Sequence, residues 1–133
     1  MNLKAQDRAL QLLEAAAVCF ARRGFHRTTM DEIARAAGVS AGLIYRHYAS
    51  KDDLVVAMVE QHQQIELAHI AAAAQEPTLA AALDHFFFTN LASNEWRSEA
   101  LLYAEVIAEA LRNERIEAVV KANSNAVSGA LAA

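Results

Sequence analysis

The stretch Thr28-Thr29-Met30-Asp31-Glu32-Ile33-Ala34-Arg35-Ala36-Ala37-Gly38-Val39-Ser40-Ala41-Gly42-Leu43-Ile44-Tyr45-Arg46-His47-Tyr48 decides the fold. Thr29 and Glu32 stand three apart, the spacing of a capping box, in which each side chain satisfies a backbone N–H left unpaired where a helix starts. A short helix therefore begins near Met30. Ile33, Ala34 and Ala37 give it one apolar face, and Gly38 can take the left-handed conformation that closes it. Val39 then turns inward and Ser40 caps a further helix from Ala41 to Tyr48. Two short helices joined by a turn of about three residues make a helix-turn-helix.

Working outward, the apolar positions Ala9, Leu13, Ala16, Ala17 and Phe20 recur at helical spacing from Ala5 to Arg23, ended by Gly24. After the motif, Ser50 with Asp53 signals another cap, and a long helix runs from Lys51 to about Ala74. Pro77 breaks the pattern and Thr78 caps a helix over 79–91. A sixth helix covers Glu95 or Trp96 to about Leu111, and a seventh starts near Asn113. The expected fold class is all-α. Within 133 residues that pattern reads as one helical unit at 1–50 and a helical body at 51–133.

The hydrophobic fraction is 55%, with one proline and four glycines, a composition that favours helices. The net charge of -4 hides a division. Residues 1–51 carry eight basic and four acidic side chains, whereas residues 52–133 carry four basic and twelve acidic. A basic end on an acidic body suits a protein that meets phosphate at one end only. Cys19 is the single cysteine, so an internal disulfide or a cysteine metal cluster cannot form, and its apolar setting reads as a small core residue. No run of about 18 apolar residues and no signal-peptide core occurs, which predicts a cytoplasmic protein without a membrane partner.

Gly24-Phe25, Thr28-Thr29, Ile33-Ala34, Ala37-Gly38-Val39-Ser40, Gly42, Tyr45, Tyr48, Lys51 and Leu54, with their gaps, resemble the N-terminal signature of the TetR family, from Arg8 to about Met58. The resemblance implies a three-helix DNA-binding domain on a ligand-binding and dimerisation body. It implies a cytoplasmic homodimeric regulator, a repressor by family default, that binds a palindromic operator in double-stranded DNA and leaves it when a small-molecule effector binds. It also implies one phosphate contact fewer than usual, because Ala41 stands where the family often carries a basic residue.

The residues themselves support a contact surface. Ile44 and Tyr48, four apart, can seal the core and leave Ala41, Gly42, Leu43, Tyr45, Arg46 and His47 facing out. Small residues at the helix start allow close entry into the major groove. Tyr45 and His47 can donate to phosphate, Arg46 can pair with phosphate or guanine, and Leu43 can touch a thymine methyl. Thr28, Thr29 and the amides opening the second helix form an anion site in this reading, as do Lys51 and the amides opening the fourth, and Ser40, the cap of the third, is a further candidate DNA contact. Lys51 is informative because a cation beside a helix N-terminus is unfavourable unless an anion offsets it.

In the body, Met58, His62, Ile65, Phe86, Phe87, Leu91, Trp96, Leu102, Tyr103 and Ile107 are candidates to line an effector pocket, whose ligand should be apolar or aromatic. His62, Glu66 and His69 share a face, but the i,i+4 histidine pair typical of metal sites is missing and no metal is expected. The sequence has no P-loop, glycine-rich dinucleotide turn or nucleophile elbow, so neither enzymatic chemistry nor a cofactor is expected. A helical interaction module that does not bind DNA is the alternative. The chain ends inside a helical pattern without a stop signal, which predicts a piece of a longer dimeric regulator with Leu83, Phe87, Ile107, Val119 or Val120 exposed.

Overall fold

A computed structural model describes residues 3–91 and 96–132, the side chains of 3, 86–91 and 96 lying outside the description. The described residues form α1 (Leu3–Arg23), α2 (Met30–Ala36), α3 (Ala41–His47), α4 (Lys51–Ala73), α5 (Leu79–Leu91), α6 (Trp96–Ala110) and α7 (Glu114–Ala132), with no strand among them. None of these helices is long and apolar enough to cross a membrane.

Helices α2, α3, α4, α5 and α7 start where a side chain holds their first amides. Thr29 Oγ1 accepts from Glu32 N while Glu32 returns its carboxylate to Thr29 N, both at 3.2 Å. Ser40 and Ser50 accept from Leu43 N and Asp53 N. Thr78 accepts from Ala81 N, and Asn113 from Arg115 N. Gly24 (φ 85°) and Gly38 (φ 71°) take the left-handed conformation after α1 and α2, where a β-carbon would be strained. α3 is one residue shorter than expected, because Tyr48 adopts an extended backbone and serves as its C-cap. α7 continues through the small polar segment to Ala132.

The core is one continuous cluster. Leu12, Ala16 and Phe20 of α1 pack with Ile33 of α2 and Ile44 of α3, then with Leu54 and Val55 of α4, and onward to Val106 of α6 and Ile116 of α7. Leu12 lies outside the face expected for α1 yet is fully buried, since the stripe Leu12, Ala16, Phe20 runs beside Leu13 and Ala17. α4 packs along α7, and α6 bridges α7 and α1, so the second half of the chain braces the first. Leu83 is exposed as expected, but Ile107, Val119 and Val120 are half-buried. Val119 and Val120 pack on the core cluster from α7, and Phe87 lies outside the described side chains.

Candidate functional site

The turn between α2 and α3 is fixed by backbone bonds from Gly38 N to Arg35 O and from Val39 N to Ala34 O. Gln11 Nε2 of α1 ties its end by donating to Ala37 O at 2.9 Å. On α3, Ile44 is wholly buried, and the Tyr48 hydroxyl reaches back to donate to Ala9 O at 3.2 Å. Burial raises the Tyr48 phenol above its ordinary pKa. With that side anchored, Ala41, Gly42, Tyr45 and Arg46 are exposed, Tyr45 at 53%, and Leu43 and His47 are half-exposed. Arg27 and Arg35 are exposed as well. The helix thus presents small residues at its start, then a phenol, a guanidinium and an imidazole.

Three expected anion contacts each have a structural duty in their surroundings. Thr28 is fully buried, and its hydroxyl donates to Gly24 O at 2.8 Å, with Cys19 O at 3.3 Å. That hydroxyl holds the turn after α1 and is turned away from solvent. Thr29 is exposed, but the Glu32 carboxylate already occupies its amide and itself pairs with Arg23 at 2.8 Å. Lys51 donates to Phe25 O at 2.9 Å and lies 4.5 Å from the centre of the Phe25 ring. A carbonyl and a ring face therefore help to offset the cation at the start of α4. Ser40 remains exposed while capping α3.

The turn at 24–26 is also grasped from α6 by residues that sequence reading missed. Glu105 accepts from Phe25 N at 3.0 Å, and the buried Glu109 pairs with His26 Nε2 at 3.0 Å. The start of α4 is held similarly: Asn113 donates to Asp52 at 2.8 Å, and Arg115 bonds Asp53. The Arg115 guanidinium holds the Asp53 carboxyl below the usual carboxylate range. Partners about 60 to 83 residues apart leave no local pattern to find.

Between α4, α6 and α7 lies a cavity of about 130 Å³. Of the expected pocket residues, Met58, His62, Leu102 and Tyr103 line it. Ile65 is 48% exposed and Ile107 half-buried, neither on its wall, and Phe86, Phe87, Leu91 and Trp96 lie outside the described side chains. The wall also takes Val59, Val106 and Val120, with Glu99, Asn123 and Ser124 as polar members. Spacing could have found Val120 and Asn123, which stand three apart on one face of α7. His62 pairs with Glu66 at 3.6 Å, and the described residues contain no cluster suited to a metal.

These features define a helix-turn-helix domain braced by a helical body that holds a cavity. Residues 12–58, the segment that holds the helix-turn-helix, match the family model for bacterial regulatory proteins of the tetR family. The chain is 29% identical over 123 residues to the HTH-type transcriptional regulator UidR of Escherichia coli (strain K12), covering 91% of this chain and 61% of that relative. It is 49% identical over 45 residues to the HTH-type transcriptional repressor KstR2 of Mycobacterium tuberculosis, 34% of this chain and 22% of that relative. The structure of Salmonella enterica GusR superposes with a TM-score of 0.82 at 26% identity, over 94% of this chain and 64% of that one. The chain thus spans less than two thirds of the length of UidR and GusR.

Proposed function

We propose that this chain is a sequence-specific DNA-binding transcriptional regulator, a homodimeric repressor that leaves a palindromic operator when a small molecule enters the body. The observation that carries the reading is α3: Ile44 is fully buried while Ala41, Gly42, Tyr45 and Arg46 lie on the surface. In this reading residues 1–50 contact DNA, with Tyr45, Arg46 and His47 as the principal contacts and Ala41, Gly42 and Leu43 against the groove. Thr29, Ser40 and Lys51 serve phosphate secondarily, since each also has a structural duty. Residues 51–133 take the effector and contribute to pairing. A palindrome requires two recognition helices about 34 to 36 Å apart, or a multiple of that, which calls for two copies. Repression is supported by the 49% identity over 45 residues to the transcriptional repressor KstR2.

The test is a selection of genomic fragments followed by anisotropy titration at several salt concentrations. Arg46→Ala should weaken binding to the selected fragment and lower the slope of log affinity against log salt by about one if it serves phosphate. If it reads guanine, the slope holds and discrimination between fragments falls. Wild-type protein that selects no fragment, or an Arg46→Ala variant bound like wild type to every fragment, overturns the proposal in favour of an interaction module.

A further inference from the structure

The cavity between α4, α6 and α7 has a chemistry that narrows its occupant. Its volume of about 130 Å³ is close to the roughly 150 Å³ that accommodates one benzene ring in a protein interior. Met58, Val59, Leu102, Val106 and Val120 supply a wall that favours an apolar body. One atom breaks that pattern. Among the described residues, Asn123 Oδ1 is a buried acceptor with no hydrogen-bond partner, and Asn123 borders the cavity. A buried acceptor left unpaired is costly, and native structures rarely leave one so. A carbonyl oxygen can be satisfied only by a donor.

Charge narrows the choice further. Among the described residues no lysine or arginine lines the cavity, whereas Glu99 does, and Glu66 stands beside the lining His62. A carboxylate or phosphate ligand would meet repulsion from Glu99 and find no lysine or arginine to offset its desolvation. We infer that the effector is a compact, mainly apolar molecule of about one aromatic ring in size, neutral or cationic, whose single O–H or N–H group donates to Asn123 Oδ1 once the side-chain amide turns that closed-off oxygen toward the cavity. The inference rests on the reading of the body as an effector domain and names the ligand class that this site takes.

Phenol, toluene, anisole and benzoate separate the possibilities, because they share a ring and differ in donor, acceptor and charge. Each is titrated calorimetrically into the chain without DNA. The expected result is phenol binding about tenfold tighter than toluene or anisole, the effect of one buried hydrogen bond, with no binding of benzoate. In Asn123→Leu, confirmed folded by its circular dichroism melt, the preference should turn to toluene. Toluene or anisole binding wild type as tightly as phenol overturns the inference, as does benzoate binding, no probe binding, or an unchanged order in folded Asn123→Leu. Should that variant not fold, the wild-type order alone decides. DNA is absent from the titration, so a failed ligand ranking is read separately from failed operator binding.

Discussion

The hydroxyl of Thr28 faces inward, where it closes the turn after α1 by donating to Gly24 O. Thr28→Val keeps the shape and removes that donor, so it should destabilise the fold by about 1 to 3 kcal/mol while the salt dependence of DNA binding stays as in wild type. Urea unfolding and a salt titration of the variant check both halves, and a fully stable Thr28→Val would return Thr28 to the surface. Cys19 is the second residue whose behaviour follows from its setting. Burial, and after it the Glu32 carboxylate, pushes the thiol above its ordinary pKa. The thiolate fraction at pH 8 is therefore small, and alkylation by iodoacetamide should be markedly slower in the native chain than in urea. Equal rates in the two conditions would contradict the packing around Cys19.

At the scale of the element, α3 depends on one anchor, Ile44, with the Tyr48 hydroxyl behind it. Ile44→Ala should cost about 2 to 5 kcal/mol through the cavity it leaves, read as a lowered urea midpoint. A midpoint equal to that of wild type would refute the inward orientation. α7 and α4 are tied by Arg115 and Asp53. Because the folded Asp53 carboxyl titrates below its unfolded range, its contribution is present at neutral pH and is lost as pH falls through the folded pKa. Both partners are partly exposed, so Asp53→Asn should cost less than about 1 kcal/mol at pH 7. The difference from wild type should close below the usual carboxylate range, in melts followed from pH 7 to pH 2. A gap that persists at the acid end would assign the effect to something other than the ion pair.

The elements were legible because their signals are local. Thr29 with Glu32, Ser40, Gly24 and Gly38 each act within four residues, and the inward setting of Ile44 follows from helical spacing alone. The contacts were less so. Whether Lys51 meets an anion or Phe25 O is decided by backbone from 26 residues earlier, and Thr28 is buried by the packing around its turn although its acceptor, Gly24 O, is only four residues back. The bonds from Glu105 and Glu109 to the 24–26 turn cross about 80 residues, and no spacing rule reaches that far. Asn123 read as part of a small polar segment, since only the packing of α7 against α4 and α6 buries its oxygen.

For the whole molecule, the absence of a break in the core matters more than the nominal division at residues 50 and 51. One buried cluster joins Leu12, Ile44, Val55 and Ile116, and a helical body without its own separate core cannot melt alone. Thermal unfolding should be a single transition in which calorimetric and van't Hoff enthalpies agree. Two resolved transitions would show that the halves fold independently. A shared core also makes occupancy of the cavity a property of every amide that exchanges only through global opening. A ligand at ten times its dissociation constant adds about 1.4 kcal/mol to global unfolding, and amides such as that of Ile44, where exchange requires global opening, should slow about tenfold although nothing has touched α3.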